Sequence, residues 1–353
     1  MTDIFVEPIT LAELKLKGES YISSKTGRVY PVKDGVPVFV NEIKDVEQEQ
    51  VAESFGYKWS RGEYGHDPEM FKNVTSPAQM ELIGFKDEEE IEQYFKGKCV
   101  LDAGCGSGVS ARLYAHFAEE FYGCDISSGV FEAKKRLTHL KNAKWARADI
   151  MNLPFPDESF DVIVSNGVMH HTPDTRRAFW SVLQKLKIGG VFIFYIYKKK
   201  SPVREFTDDY IRDVIAPLSP ENAWKKLEPL TKLAKTLSDL KIKINVDEPI
   251  DILGIPAGEY DLQRLLYWHF LKFYWNDGLD FESNNHTNFD WYHPRYAFRH
   301  TPEEVKEWLE RSGCELIKMN VTDSGIGCFA RRIAVAEYWE TGELRGLRKE
   351  IYR

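Results

Sequence analysis

The chain of 353 residues carries no obvious metal or disulfide framework. Its five cysteines, Cys99, Cys105, Cys124, Cys314 and Cys328, form no C-x-x-C pair. An odd, scattered set mostly in or beside apolar runs reads as small core residues in a reducing compartment. A chain this long has core enough without staples. Long apolar runs are missing too, none approaching the roughly 18 residues of a membrane helix. The opening MTDIFVEPIT lacks the basic-then-apolar pattern of a secretory leader, so a cytoplasmic protein without a membrane partner is expected. Basic residues are in deficit: 47 Lys and Arg stand against 55 Asp and Glu, a formal net charge of −8. That balance repels phosphate backbones and disfavours a nucleic-acid partner. The one notable basic run, Lys198-Lys199-Lys200, reads equally well as a solvated loop. Repeats and low-complexity tracts are also missing.

What is present divides into five zones. Residues 1–47 form a small β unit, with turn signals at Thr26-Gly27 and Lys33-Asp34-Gly35 and with Pro31 and Pro37 confining its strands to edges. Residues 48–97 read as a helical cap. From 98 to 197 strand and helix alternate, with strands expected at Cys99–Ala103, Glu120–Cys124, Lys144–Arg147, Phe160–Ser165 and Val191–Tyr197. That pattern predicts an α/β fold, a Rossmann-like doubly wound and mostly parallel sheet. Residues 198–298 form a helical insertion, its strongest helix expected over EYDLQRLLYWHFLKFYW with Leu262, Leu265, Leu266, His269 and Phe273 on one stripe. The stripe reads as core or as a homodimer contact. Residues 299–353 return to the sheet and end in a tail: Thr301, Pro302 and Glu304 open a helix with a capping box, and CELIKMNV and GIGCFARRIAV make an antiparallel hairpin around TDSG.

The segment CVLDAGCGSGVS, residues 99–110, places Gly104, Gly106 and Gly108 in five positions after an apolar strand. A dinucleotide loop reads G-x-G-x-x-G, and here its third glycine position is Val109. The strand moreover ends in an acid, Asp102, which would repel a pyrophosphate and suit a cationic ligand.

At this motif the sequence resembles the class I S-adenosylmethionine-dependent methyltransferases, whose first motif is a strand ending in acid-x-Gly-x-Gly-x-Gly. The resemblance implies S-adenosylmethionine as cofactor, with Asp102, Gly104, Gly106 and Gly108 around its methionine end. Asp125 and Ile126, closing the second strand, would take the ribose. Asp149 would accept the adenine amino group between Ala148 and Ile150, and Asn166 would lie beside the methionine portion. LKIGGVFIFY matches the turn and strand that follow, although Ile188 stands where the family usually has proline. VAESFGYKWSRGE resembles a cap in which Phe55, Tyr57 and Trp59 help close the site. The first 47 residues look like a zinc ribbon without its ligands, with Ser23 and Thr26 near the expected positions. Hydroxyls are poor zinc ligands, and no metal is expected.

Methyl transfer needs a base only where the acceptor must lose a proton, and the family has no fixed catalytic residue to carry over. Candidates for acid–base work are His170 and His171, at the carboxyl edge of the sheet where such folds bind ligands, and His293. Acceptor contacts are expected from Tyr195 and Tyr197 and from the aromatic loop around His286, Asp290, Tyr292 and Arg295. His286, His293 and His300 are spaced by seven, but Pro294 would break a helix between them, so no metal site is expected. The reading is a methyltransferase for a small organic acceptor in a biosynthetic or surface-sugar pathway. A tRNA or protein methyltransferase is the second enzyme reading. A non-catalytic protein that binds S-adenosylmethionine is the third.

Overall fold

The structure is a computed structural model that describes residues 4–40, 43–61 and 67–335; the C-terminal tail expected after 335 lies outside them. The N-terminal unit is a four-stranded antiparallel meander of β1 (Leu14–Lys17), β2 (Ser20–Ser23), β3 (Val29–Lys33) and β4 (Val36–Pro37). The helix Val46–Ser60 follows, started by Asp45, whose carboxylate accepts the backbone N–H groups of Glu47 and Gln48. Such a cap satisfies donors that a helix start otherwise leaves unpaired.

The central sheet is built from β5 (Cys99–Ala103), β6 (Glu120–Asp125), β7 (Ala143–Arg147), β8 (Phe160–Asn166) and β9 (Leu186–Tyr197), all parallel. After the two-stranded ribbon β10 (Lys243–Val246) and β11 (Gly258–Asp261), the hairpin β12 (Cys314–Val321) and β13 (Gly325–Arg332) joins β9 antiparallel. The spatial order is β12-β13-β9-β8-β5-β6-β7. The order turns between β5 and β8, whose carboxyl ends therefore open a crevice, the place where open α/β sheets bind ligands. The capping box is present: Thr301 Oγ1 accepts from the Glu304 N–H at 3.2 Å and Glu304 accepts from the Thr301 N–H at 2.7 Å.

The N-terminal unit is sewn to this sheet. The Phe39 N–H donates to the Arg147 carbonyl at 2.8 Å, and Phe5, Tyr21, Tyr30 and Phe39 share one buried cluster with Tyr122 and Phe155. Where the resemblance puts a metal, Glu7 is fully buried and accepts from the hydroxyls of Thr10, Thr26 and Tyr30. Ser23 Oγ instead caps its turn, accepting from the N–H groups of Lys25 and Thr26.

Three expectations need correction. The helix expected across 259–275 covers only Leu262–His269, and Phe273 leaves its stripe. The chain after Phe270 is held open by side chains: Asp208 accepts the Lys272 N–H at 3.0 Å, Asn288 accepts the Tyr274 N–H at 2.6 Å, and Gln263 donates to the Phe273 carbonyl at 2.8 Å. With its polar backbone groups satisfied there, helix is no longer the only way to bury this aromatic run. The aromatic loop around 286–292 is instead a helix, Phe281–Tyr292, capped by Asp280. Lys200 is no solvated loop residue either. Its ammonium donates to the carbonyls of Asp323 and Ser324, tying the end of β9 to the hairpin turn.

Candidate active site

The carboxyl ends of β5, β6 and β8 meet at a cavity of about 390 Å³ roofed by the helix Val46–Ser60 and by the insertion. That volume lies within the range of small-molecule sites. Gly104, Gly106, Asp125, Ile126, Asp149, Ile150 and Asn166 line one part of it; Tyr195, Tyr197, Lys272, Tyr274 and Asp290 line another, with Phe55, Trp59 and His171 also in its wall.

The glycines are there because side chains would not fit. Gly104 has φ +95° and a Cβ there would lie 2.3 Å from Val168 Cγ1; a Cβ on Gly106, at φ +52°, would meet the Trp59 indole at 2.7 Å. Asp125 anchors the loop from β6: its Oδ2 accepts the Gly106 N–H at 2.9 Å, and its Oδ1 accepts the Ser127 N–H at 2.8 Å and hydroxyl at 2.6 Å. Asp149 Oδ1 accepts the Met151 N–H at 2.9 Å. Burial pushes both carboxyls above their ordinary range. A pyrophosphate beside these two carboxylates would be repelled, whereas hydroxyl and amino donors suit them.

At the other side Lys58 and Asp290 form an ion pair at 2.8 Å, and the Tyr197 hydroxyl donates to Asp290 at 3.4 Å. Burial pushes the Asp290 carboxyl up, but the charges of Lys58 and Lys272, joined by His171 once that ring is protonated in acid, outweigh it and hold the group well below the usual carboxylate range. His171 Nδ1 lies 2.6 Å from the Tyr296 carbonyl. A carbonyl can only accept, so Nδ1 carries the proton and Nε2 is the acceptor. Burial lowers this imidazole to about 4, which makes it neutral at pH 7.

Several expected site residues lie elsewhere. Asp102 does not line the cavity; it is buried and accepts the Tyr114 hydroxyl at 2.8 Å. Gly108 serves packing, since a Cβ there would meet Leu137 at 2.8 Å. Tyr57 packs on Trp224 and Phe289 while its hydroxyl accepts from Arg61. His170 is sealed against the Tyr197 ring, centroids 3.7 Å apart. His286 packs behind Trp59, centroids 5.8 Å apart. His293 is held by Ser54 and the Leu218 carbonyl, Tyr292 donates to Asp208, and Arg295 makes surface ion pairs with Glu47 and Asp213. None of these residues lines the cavity.

Lining residues that the sequence reading missed include Lys58, Gln79, Ser110, Tyr267, Lys272 and Tyr274. Gln79 Oε1 joins Ser110 and Asn166, at 2.8 and 2.6 Å. The available signal for Lys272 was a lone cation inside the aromatic run LKFYW.

Comparison with known proteins agrees with this geometry. A methyltransferase domain family matches residues 101–194. The chain is 28% identical over 167 residues to the uncharacterized methyltransferase YcgJ of Bacillus subtilis, covering 45% of this chain and 66% of that protein. It is 40% identical over 83 residues to an uncharacterized methyltransferase of Mycobacterium tuberculosis, covering 23% of this chain and 41% of that protein. The chain thus spans less than two thirds of these relatives. A SAM-dependent methyltransferase from Aquifex aeolicus aligns at 15% identity and a TM-score of 0.38, covering 75% of this chain and 97% of that one, a likeness too loose to carry an inference. The strand-loop-carboxylate arrangement and the matched family together identify a methyltransferase domain at residues 101–194 of this chain.

Proposed function

We propose that the protein transfers a methyl group to a small organic acceptor held in the insertion-covered part of the cavity. One observation carries this reading: a single cavity joins the glycine loop, Asp125 and Asp149 to Tyr195, Tyr197, Lys272 and Asp290 under a roof of Phe55 and Trp59. Bound S-adenosylmethionine supplies a methyl on a cationic sulfur, a good leaving group.

The chain's own work is holding and enclosing. Gly104 and Gly106 let the backbone approach the cofactor, and Asn166 with Gln79 borders the same wall. Asp125 has three of its roughly four acceptor positions occupied. One ribose hydroxyl fits at once, and a second when the Ser127 hydroxyl turns away. Asp149 would accept an adenine amino group, a role supported by its lying in the cavity wall together with Ile126 and Ile150. Fixing acceptor and methyl close and in line accounts for much of such a reaction's acceleration, on the order of 7–11 kcal/mol at best. The neutral His171 offers a weak acceptor, and acceptors that need no strong base suit it best.

The roof and the net charge of −8 favour a small acceptor over tRNA. The acceptor side of the cavity also argues against a scaffold that only binds the nucleoside. Placement in a biosynthetic or surface-sugar pathway of the cytoplasm belongs to this proposal. Calorimetric titration with S-adenosylhomocysteine tests it: micromolar binding weakened tenfold or more by Asp125→Ala, about 1.4 kcal/mol, is expected. No binding by the unaltered protein would sink it.

A further inference from the structure

Lys272 is a charged cavity residue that the fold leaves without an ion pair of its own. It is 6% exposed and lines the cavity. Its ammonium lies 4.4 Å from the centre of the Trp291 ring. Among the described residues no carboxylate stands within ion-pair distance of it, 4.0 Å, and no hydrogen bond engages it. The neighbouring carboxylates are already committed. Asp290 is paired with Lys58 at 2.8 Å. Asp208 accepts from Arg204 at 2.8 Å, from the Trp291 indole at 2.9 Å and from the Tyr292 hydroxyl at 2.8 Å.

The backbone of Lys272 is fixed at the same time. Its N–H is held by Asp208 at 3.0 Å and its carbonyl accepts the Tyr292 hydroxyl at 2.8 Å. A flexible lysine on a clamped backbone, inside an aromatic wall, is placed rather than left over. Burial pushes its amine down to about 7 against the more distant pull of Asp290 and Asp208, as expected of a buried ammonium without an ion pair of its own. Three charged side chains line the acceptor part of the cavity, Lys58, Lys272 and Asp290, which leaves one positive charge over. Buried charges are normally paired, and the missing anion is one the protein does not supply.

We propose that the methyl acceptor is a small carboxylic acid whose carboxylate pairs with Lys272 while Tyr195, Tyr197 and Tyr274 surround its body. The inference rests on the methyltransferase reading and narrows it to a monoanionic acceptor class.

The test uses the full-length protein saturated with S-adenosylhomocysteine. Benzoate and 4-hydroxybenzoate are titrated in turn, alongside benzamide and 4-hydroxybenzamide, which keep shape and lose charge. The acids are expected to bind at least tenfold more tightly than the amides. Lys272→Met should reduce that preference below threefold while S-adenosylhomocysteine affinity stays within twofold. Lys272→Arg should retain the preference, which separates lost charge from lost folding. Equal binding of acids and amides, or binding of neither, overturns the proposal. So does a Lys272→Met protein that loses S-adenosylhomocysteine affinity, because the lysine would then serve the cofactor's own carboxylate. An unchanged acid preference with slowed methyl transfer would assign Lys272 to proton removal and overturn it as well. Failure of the unaltered protein to bind S-adenosylhomocysteine defeats the methyltransferase reading itself, and that result is read before any acid is added.

Discussion

Asp125 and Gly106 are joined by a 2.9 Å hydrogen bond from the glycine N–H to the carboxylate, which fastens the loop after β5 to the end of β6. The same carboxylate holds the Ser127 N–H and hydroxyl, so it positions the loop as well as facing the cavity. Asp125→Ala should therefore lose stability as well as ligand affinity. Leaving these donors without a partner costs about 1–3 kcal/mol. Asp125→Asn, which keeps one carbonyl acceptor, should fall between Ala and the natural residue in both urea unfolding and S-adenosylhomocysteine titration. Full stability with lost affinity would show that the loop holds without this tie.

The glycines of the loop are predicted to differ from one another. Gly104→Ala forces a Cβ onto the branched Val168 side chain at a φ of +95°, and should cost about 2 kcal/mol or more from strain and overpacking together. Adding Val168→Ala should recover only part, since the backbone strain persists. Gly108→Ala meets the end of a flexible leucine at 2.8 Å and lies off the cavity. It should lower the unfolding midpoint while leaving S-adenosylhomocysteine affinity within about threefold, which is under 1 kcal/mol.

Asp102 sets a pH dependence. Burial raises its carboxyl from 3.8 to about 7 in the folded chain. Between those values the unfolded chain has lost the proton and the folded one keeps it, so stability falls as pH rises through this window. Above the folded value the cost is constant, at most on the order of 4 kcal/mol for about three pKa units. Asp102→Asn has no charge to bury and can still accept the Tyr114 hydroxyl. Its stability relative to the natural protein should be level near pH 4 and rise towards pH 8. Parallel urea-unfolding curves for the two proteins across that range would refute this account.

His170 and His171 are adjacent in sequence and opposite in expected effect. Both His170 ring nitrogens are buried without a hydrogen-bond partner, and the ring packs on Tyr197. His170→Phe keeps the ring contact and removes the unpaired polar atoms, so the melting temperature should hold or rise. His171→Phe loses the bond to the Tyr296 carbonyl, whose partner distance is 2.6 Å, and should melt lower by a few degrees, roughly the effect of 1 kcal/mol.

How much of this was legible in the sequence depended on the range of the interaction involved. The five parallel strands and the final hairpin follow from local alternation and turn chemistry, and Thr301-Pro302-x-Glu304 announced its helix outright. The glycine loop was legible from its short spacing, whereas Asp125 and Asp149 were expected from the family resemblance, and both line the cavity. The other part of the cavity was legible only in part: Tyr195, Tyr197 and Asp290 line it as expected, whereas Lys272 and Tyr274 were missed. Asp208, 64 residues before Lys272 and 84 before Tyr292, holds the Tyr292 hydroxyl at 2.8 Å and the Lys272 backbone at 3.0 Å, while Asn288 holds the Tyr274 N–H. Asp208, Asn288 and Gln263 together hold the chain after Phe270 out of the helical pattern of the 260s, with Lys272 in the cavity wall. Nothing in the spacing of either segment records those contacts.

The N-terminal unit supplies the last prediction. A docking appendage could be removed without harm to the core, but this one covers Tyr122 and Phe155 with Phe5, whose ring lies 6.1 and 5.5 Å from theirs. It also continues beside β7 through the Phe39 to Arg147 hydrogen bond. Deleting residues 1–40 should expose that apolar face and give a protein that aggregates or melts well below the full chain, as expected when several large side chains lose their burial at about 1.5–3 kcal/mol each. The milder Glu7→Leu removes the acceptor shared by the Thr10, Thr26 and Tyr30 hydroxyls, and should lower stability while the S-adenosylhomocysteine affinity of the folded fraction persists. If the deletion instead leaves the melting temperature and nucleoside binding intact and abolishes methylation of a tRNA or protein only, the unit is a docking module. The small-acceptor reading would then give way to the macromolecular one.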